Sequence, residues 1–253
     1  MPTKLSASIV LKIIFGAVFV MTTTACSNSS SDDGFVSIFD GETLDGWIVN
    51  RFDEAPEGLS EDEIFTVDDV GIHVYAGAEQ GSHQARATLV SEKEYSRFVL
   101  EFEYRWGDAR FAPRADVERD AGFLFHIHGD IHRVWPSCLE MQMGTSPLGG
   151  EWVTGDLWVL GNSKVSWQGT PIDRPRRIET KRLAEKPLGE WNLLRVTVDG
   201  ANSAVFELND TILLDGISDF TVRRSGEPLE KGRVGVQAEW AELWYRNIRI
   251  KEL

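Results

Sequence analysis

Cysteine is scarce in this sequence of 253 residues, where Cys26 and Cys138 are the only two. Only Cys138 lies beyond the N-terminal segment, so no disulfide can form within the folded part of the chain. Amphipathic helical patterns are missing as well, because no stretch longer than about ten residues keeps a 3.6-residue apolar period. Basic residues are also outnumbered, with 26 Lys and Arg against 40 Asp and Glu. A chain of this charge repels a phosphate backbone, which excludes nucleic acid as a partner.

Apolar and aromatic residues are plentiful. The sequence is 42% hydrophobic and contains nine Trp. This composition excludes an intrinsically disordered chain and supplies enough apolar surface for a core. All-β sandwiches of about 200 to 250 residues commonly form one domain, so we predict a single core.

Residues 1–25 have the pattern of an export signal. Lys4 and Lys12 flank the apolar run 9–21, which is too short to span a bilayer and is followed by small residues. The segment that ends at Cys26 resembles a bacterial lipobox, with Thr23 where the usual Leu stands. This resemblance implies lipidation of Cys26 after cleavage, and an ordinary signal peptide is the alternative.

A polar segment, 26–34, separates this signal from the first strand and is typical of a flexible tether. We therefore predict a signal peptide over 1–25, a lipid-anchored tether over 26–34 and one folded domain over 35–253. Loss of Lys4 and Lys12 leaves 24 basic residues against 40 acidic ones, a net charge of −16. The expected location is a membrane-anchored, exported lipoprotein that faces the periplasm or the cell surface.

Strand patterns dominate the domain. Apolar and polar residues alternate in eight segments that Gly, Asn, Asp and Pro separate; these are 98–106, 122–128, 139–143, 156–160, 193–198, 204–208, 233–238 and 243–250. Asn209-Asp210 predicts a hairpin turn between two of them. Strands without intervening helices predict an all-β fold, a sandwich of two antiparallel sheets. The long polar segments 110–120 and 168–187 are predicted loops that flank a site.

Three of these segments predict the same polar face. Neighbouring side chains on a strand point to opposite faces. In 122–128 the odd positions are apolar, and in 139–143 and 156–160 apolar residues also take alternate positions. The side chains predicted to share the outward face are His126, His128, Glu140, Gln142, Asp156 and Trp158. Carboxylate and amide groups bind sugar hydroxyls and indole stacks on sugar C–H faces, so this face predicts a carbohydrate ligand.

Two further roles for this face remain open. His126, His128 and Glu140 also form a candidate ligand set for a divalent metal such as zinc or manganese, so a divalent metal is a second hypothesis. Trp135, Trp152 and Trp158 are either sugar platforms or filler of the sandwich, whereas Trp240 is predicted to lie in the core. An outward Glu or Gln alone is commonly only solvated.

Seven short motifs resemble, in order, the 3-keto-disaccharide hydrolase domain family. They are FDGETLDGW (39–47), DAGFLFH (120–126), EMQ (140–142), GD (155–156), GEWN (189–192), GVQ (235–237) and YRNIRI (245–250). The resemblance implies a concanavalin-like jelly roll, in agreement with the two-sheet prediction. It also implies cleavage of 3-keto-glycosides or 3-keto-disaccharides. Many members of the family have Asn-Ser-Gly where this chain has Asp120-Ala121-Gly122.

A ketone at carbon 3 opens a route other than classical hydrolysis. Glycosidases use two carboxyl groups about 5 to 9.5 Å apart, but the strand position two residues after Glu140 is Gln142. Asp156 on a neighbouring strand is the remaining candidate for a second carboxylate. The ketone instead acidifies the C–H at carbon 2, so a base can remove that proton and the aglycone leaves from carbon 1 before water adds back.

This route assigns hypothetical roles to the outward residues. His126 or Glu140 would be the base, and the group that stabilises the enediolate would be His128, Gln142, Arg114 or a metal. Trp135, Asp156 and Trp158 complete the expected sugar-binding set. The expected partners are a 3-keto-glycoside, a membrane through lipid on Cys26 and, functionally, a dehydrogenase that oxidises carbon 3 of the sugar. The alternatives are a classical glycoside hydrolase, a non-catalytic carbohydrate-binding module and a structural surface protein.

Overall fold

The structure, a computed structural model, describes residues 1, 34–133, 135–173 and 176–253. Residues 34–253 form one compact unit. The predicted signal peptide, the lipid on Cys26 and almost all of the tether lie outside the described residues and stay predictions. No helix in the described part of the chain is long and apolar enough to cross a membrane.

The described elements are seventeen strands and one short helix. In chain order they are β1 (Val36–Ser37), β2 (Trp47–Arg51), α1 (Glu61–Ile64), β3 (Phe65–Val67), β4 (Ile72–Val74), β5 (Ala87–Tyr95), β6 (Arg97–Arg110), β7 (Asp120–His128), β8 (Ser137–Gly144), β9 (Leu157–Leu160), β10 (Ser163–Trp167), β11 (Thr170–Asp173), β12 (Arg176–Ile178), β13 (Asn192–Asp199), β14 (Ser203–Leu208), β15 (Thr211–Val222), β16 (Gly232–Ala238) and β17 (Ala241–Glu252).

The strands form two sheets. One has ten described strands in the order β11-β10-β15-β14-β13-β6-β17-β4-β3, with β1 beside β17, and the other has seven in the order β12-β9-β8-β7-β16-β5-β2. Neighbouring strands such as β6 and β13, or β7 and β8, run antiparallel. The prediction of an all-β, two-sheet antiparallel sandwich is therefore confirmed.

Alternation along the strands builds the core between the sheets. In β13 the odd positions are half-exposed, whereas Leu194, Val196 and Val198 are buried. Aromatic rings meet across the sandwich, since Phe102 of β6 lies 5.7 Å from Phe123 of β7 between ring centroids. Truncation of a buried aromatic side chain to Ala costs about 3 to 5 kcal/mol, so this contact is a large part of the domain's stability.

The predicted hairpin at Asn209-Asp210 is confirmed. Leu208 of β14 pairs with Thr211 of β15, which leaves Asn209 and Asp210 as the two turn residues. Both have positive φ, 48° and 61°. Two successive residues of positive φ match the twist of the flanking strands, and Asn and Asp tolerate this conformation better than most residues.

The outward alternation predicted through His128 breaks at His126. Phe125 pairs with Leu139 and His128 with Ser137, so three steps on β7 face two on β8. The same shift occurs against β16, which makes His126, with φ of +50°, the extra residue of a β-bulge. A bulge reverses the side-chain alternation beyond it. Ile127 therefore lies on the outer face of the seven-stranded sheet with Leu124, and His126 does not.

Candidate functional site

A cavity of about 360 Å³ lies on the outer face of the seven-stranded sheet, the face opposite the core. Its wall combines acidic, amide and aromatic side chains from three strands and the loops beside them. The lining residues are Arg114, Asp120, Trp135, Glu140, Gln142, Trp152, Trp158, Leu160, Gly161 and Glu239. A concave site with few polar groups among aromatic ones is the usual form of a small-molecule site.

Three carboxyl groups converge in this cavity. Asp120 begins β7, Glu140 lies in the middle of β8 and Glu239 directly follows β16. An isolated antiparallel bridge joins Asp120 to Glu239, which places these two side chains side by side on one face. All three residues are at most 5% exposed. Acidic residues are rarely this buried unless they are paired, so their clustering indicates a functional site.

Gly122 leaves the space that Glu140 occupies. A Cβ at position 122 would lie 2.3 Å from Glu140 Oε1 and 2.3 Å from Gln237 Oε1. Gly122 pairs with Gln142 on β8, and it stands two residues after Asp120 on β7, on the same face of the sheet. Any larger residue here would push the Glu140 carboxylate out of its place, which is a physical reason for the glycine in the Asp120-Ala121-Gly122 motif.

Arg114 and Gln142 both donate hydrogen bonds to Asp120. Arg114 Nη1 donates to Asp120 Oδ2 at 2.5 Å, and Gln142 Nε2 donates to Asp120 Oδ1 at 2.6 Å. The Gln142 amide also donates to the carbonyls of Ala121 and Met143, at 2.8 and 3.0 Å. Gln142 therefore has a fixed orientation with its nitrogen toward the carboxylate, and it positions Asp120 more directly than it would a ligand.

Burial sets the protonation of the three acids. Burial raises the pKa of Asp120, but the Arg114 guanidinium and a hydrogen bond from Glu239 oppose that rise. Burial, and then the charge of Asp120, holds the pKa of Glu239 well above its usual range. The hydrogen bond between the two lowers the pKa of Asp120 and raises that of Glu239, so Glu239 keeps its proton to a higher pH than Asp120. Burial and the Asp120 charge likewise hold the pKa of Glu140 well above its usual range.

Aromatic rings and unpaired donors complete the wall. The guanidinium of Arg114 lies 4.0 Å from the centroid of the Trp152 ring and 5.6 Å from that of the Trp240 ring, so it makes cation–π contacts with both indoles. Within the described residues, neither Arg114 Nη2 nor Trp158 Nε1 has a hydrogen-bond partner, although both atoms are buried. Buried donors are nearly always satisfied, so these two N–H groups are available to a ligand in the cavity.

The structure brings together five of the residues predicted for the site. Glu140, Gln142, Arg114, Trp135 and Trp158 all line the cavity, and Trp158 pairs with Glu140 across β8 and β9. Their catalytic and binding roles remain hypotheses. The predicted loop at 110–120 flanks the site as expected, since Arg114 comes from it.

Asp156 does not line the cavity. Its Oδ1 accepts a hydrogen bond from the backbone N–H of Thr180 at 2.8 Å, and Arg177 Nε lies 3.5 Å from its Oδ2. Burial raises the pKa of Asp156 to about 6. The carboxylate fastens the segment around Thr180 to the sheet, so the expectation that Asp156 binds sugar or supplies the second carboxylate is not met by its position.

His126 and His128 also lie away from the cavity. The bulge turns the His126 ring toward the core, where Nε2 lies 2.9 Å from the carbonyl of Gly200 and the ring contacts Phe220. Burial lowers the pKa of His126, as expected for a neutral core imidazole. His128 Nδ1 bonds to the His126 carbonyl at 2.9 Å, and its side chain lines a different cavity with His132.

The position of His126 in the core also removes the ligand set that was predicted for a divalent metal. Because His126 faces the core, it cannot meet Glu140 at one ion. Among the residues that the structure describes, no group of three or more His, Cys, Asp and Glu side chains has a geometry suited to a metal ion. The residues present therefore do not fit the metal site that the sequence suggested.

Sequence reasoning gave no role to Asp120 or Glu239, whereas Trp152, predicted as a candidate sugar platform, does line the cavity. A signal for the first existed, because Asp120 stands two positions before Gly122 and so shares the outward face. Glu239 stands two positions after Gln237 and follows the same rule. Trp240 was assigned to the core, and it is indeed buried at 8% exposure while its ring contacts Arg86 and Arg114.

Comparisons with known proteins agree with this fold. One family model, that of the "3-keto-alpha-glucoside-1,2-lyase-like domain", matches residues 34–251. A search of the curated proteins found no match.

Many solved structures are similar to this chain, and two serve as examples. A protein from Parabacteroides distasonis ATCC 8503, assigned as a glycosyl hydrolase, is 19% identical, with 87% of this chain and 94% of that chain covered at a TM-score of 0.51. A Z. galactanivorans protein in complex with laminaritriose and laminaritetraose is 11% identical, with 87% and 99% covered at a TM-score of 0.50. At these identities the likeness shows the fold alone.

Proposed function

This chain belongs to the 3-keto-alpha-glucoside-1,2-lyase-like domain family, and from that premise we propose that it cleaves the glycosidic bond of 3-keto-glycosides by elimination. Membership of this family supports a glycoside-cleaving or carbohydrate-binding role on a jelly-roll fold. The observation that carries the finer proposal is the cluster of three buried carboxyl groups beside one arginine, in a cavity lined with tryptophan.

The reaction removes one proton and one leaving group. A base takes the proton from carbon 2, which the neighbouring ketone acidifies, and the C–H electrons form an enediolate. Those electrons then form a double bond between carbons 1 and 2 while the bond from carbon 1 to the aglycone oxygen breaks. The aglycone leaves with a proton. Addition of water across the new double bond gives the free 3-keto-sugar, so the net result is hydrolysis.

Glu140 is the proposed base. The hypothesis that His126 takes this role has no support from its position in the core. A carboxylate whose pKa is raised by burial is a stronger base than an exposed one, and catalytic groups work best with a pKa near the operating pH. Gly122 gives this carboxylate its room, and the rigid middle of β8 fixes its position.

Arg114 and Trp158 are the proposed donors to the enediolate oxygen. Negative charge develops on the carbon 3 oxygen in the transition state, and Arg114 Nη2 and Trp158 Nε1 are buried N–H groups without partners among the described residues. Removal of one such donor costs about 10² to 10³ in turnover in well-studied cases. Glu239, which keeps its proton to a higher pH than Asp120, is suited to protonate the departing aglycone oxygen.

Classical hydrolysis is the second candidate, and the number of acids favours it. The sequence suggested that Gln142 left Glu140 without a partner, but Asp120 and Glu239 supply two further carboxyl groups in the same cavity. A pair of carboxyl groups is sufficient for hydrolysis of an ordinary glycoside. A carbohydrate-binding module without turnover would use the same aromatic wall.

One set of assays separates these functions. The purified protein is incubated with a 3-keto-α-glucoside and with the same glucoside before oxidation, each with and without chelator, and aglycone release is followed. Elimination predicts release from the keto substrate alone. Equal release from both substrates would support classical hydrolysis, and binding without release would support a binding module. Loss of activity with chelator would show that a metal takes part.

We also propose export, an anchor at Cys26 and supply of the substrate by a dehydrogenase. The proposed reaction needs a ketone at carbon 3, so an oxidation of the sugar must precede it. Expression of the full chain in bacteria, followed by membrane fractionation of the wild type and Cys26→Ser, tests the anchor. Release of only the variant from membranes is the expected result, and equal distribution of both would contradict it.

A further inference from the structure

A second cavity adjoins the first at the start of β8. It measures about 390 Å³ and shares Trp135 and Gly161 with the wall of the first cavity. Three arginines line it, Arg133, Arg223 and Arg224, and we call it the arginine pocket. An adjoining cavity of this kind is where the aglycone of a substrate in the first cavity would lie.

Hydrogen bonds donated by backbone N–H groups hold the wall of the arginine pocket in place. Ser137 Oγ accepts from the N–H of Asn162 at 2.9 Å, the Asn162 carbonyl accepts from the N–H of Arg223 at 2.7 Å, and Asn162 Oδ1 accepts from the N–H of Arg224 at 3.0 Å. Gly161, with φ of +60°, packs so closely that a Cβ would lie 2.6 Å from Ser137 Oγ. The turn at 161–162 therefore holds the two arginines after β15 against the start of β8.

Two of these arginines have no partner in the described part of the chain. Arg133 and Arg224 are exposed, and no hydrogen bond, ion pair or ring contact joins their side chains to described residues. Arginines elsewhere are commonly paired, as Arg86 is with Asp53 and Arg195 with Glu101. The chain has 40 acidic and 26 basic residues, so two arginines without a partner among the described residues are unusual at the opening of one cavity.

The acidic side chain in the arginine pocket is engaged in its own loop. Asp130 Oδ1 accepts a hydrogen bond from the backbone N–H of His132 at 3.0 Å. Arg133 and Arg224 alone outnumber Asp130, the one acidic side chain among the described lining residues, and this balance favours an anion. Guanidinium groups bind carboxylate and phosphate through two parallel N–H donors, which gives orientation as well as affinity.

The distance from the proposed base suits the far side of an aglycone. Ser137 and Glu140 are three residues apart on β8, and a strand rises about 3.3 Å per residue, so their Cα atoms are about 10 Å apart. Trp135, 40% exposed, lies between the two cavities and offers an apolar face to the aglycone ring. An anionic group in the arginine pocket is thus within reach of a ligand whose sugar lies in the first cavity.

We infer that the substrate carries an anionic aglycone, whose carboxylate or phosphate the arginine pocket binds through Arg133 and Arg224. This inference rests on the proposed function and adds the substrate class. It concerns affinity rather than chemistry, so binding can be measured without turnover.

The test compares three 3-keto-α-glucosides that differ only in the para substituent of a phenyl aglycone: carboxylate, phosphonate and the neutral carboxamide. Calorimetry measures their dissociation constants on full-length Glu140→Gln protein, in which turnover should be lost. The same measurements follow on Glu140→Gln proteins that also carry Arg133→Gln and Arg224→Gln, or Arg97→Gln as control. Arg97 is an exposed arginine of the other sheet, paired with Asp199.

We expect at least one anionic glucoside to bind about tenfold more tightly than the carboxamide at low salt. That preference should fall to about twofold or less in the double arginine variant, persist in the Arg97 control and weaken as salt is added. The carboxylate and phosphonate arms identify which anion is preferred.

Equal affinity for acid and carboxamide in the Glu140→Gln protein would overturn the inference, and so would a preference that survives the double substitution. Failure of the proposed function has a different signature, namely no aglycone release by the wild type from any of the three glucosides. Absence of binding by all three would overturn the inference together with the proposed substrate.

Discussion

Substitution of Gly122 by Ala tests whether the position of the Glu140 carboxylate determines activity. The new methyl group would lie 2.3 Å from Glu140 Oε1 and from Gln237 Oε1, and ordinary contact begins at 3.4 Å. Each oxygen must therefore retreat by about 1.1 Å, the difference between these two distances. A misplacement of about 1 Å can cost about 10² in rate, so we expect kcat/KM to fall about a hundredfold.

The substitution should affect stability less than activity. Overpacking typically costs about 1 to 3 kcal/mol, and the atoms that must move here are the ends of side chains. Gly41→Ala is the matched control, because Gly41 has φ of +87° with no atom within 4 Å of the added Cβ, so Ala there brings strain of about 1 to 2 kcal/mol without touching the cavity.

The assay is aglycone release from a 3-keto-glucoside, with thermal unfolding of each variant measured in parallel. We expect both variants to fold and only Gly122→Ala to lose activity. Gly122→Ala protein that unfolds at the temperature of the control and keeps kcat/KM within about threefold of the wild type would refute the argument.

Three further results are expected. Arg114→Gln should lower kcat about 10²-fold or more, because a buried donor to the enediolate is lost, and steady-state kinetics that show a change in KM alone would contradict this role. His126→Ala should lower the free energy of unfolding by about 1 to 3 kcal/mol and leave kcat unchanged, because its hydrogen bond to Gly200 lies in the core; denaturant titration and kinetics check both. Folding raises the pKa of Glu140, so its contribution to stability is present at low pH and is lost as pH rises through its pKa in the folded protein. The variant Glu140→Gln should therefore gain stability relative to the wild type as pH rises. Thermal melts from pH 5 to 9 that run parallel for the two proteins would contradict this.

The sequence was sufficient to predict the sandwich and much of the site. Alternation of apolar residues needs only the period of a strand, so Glu140, Gln142 and Trp158 were correctly assigned to one outward face. Turn chemistry was equally local, as at Asn209-Asp210. These features depend on residues close together in the chain.

The position of His126 could not be predicted in this way. Its bulge depends on how β7 aligns with both β8 and β16, and Gly232 of β16 comes so close that a Cβ there would lie 2.5 Å from the His126 carbonyl carbon. Only the paired strands fix that register. Alternation extended through residue 128 therefore predicted the wrong face for His126 and His128.

The pairing of Asp120 with Glu239 has the same origin. The two residues are distant in the chain and meet through a bridge at the end of two neighbouring strands. Alternation indicates that each points outward, but it cannot show that the two side chains meet. Together they provide the further carboxyl groups that the sequence, with Gln142 two positions after Glu140, did not predict.

The fate of the hydrogen at carbon 2 tests the central proposal most directly. A 3-keto-glucoside that carries deuterium at carbon 2 is treated with the wild type and, as control for spontaneous exchange, with Glu140→Gln, and the sugar product is analysed by mass spectrometry at early times. Elimination by Glu140 predicts that the wild type releases the aglycone and that the sugar product has lost the deuterium. A sugar product that keeps its deuterium would contradict proton abstraction and favour direct hydrolysis.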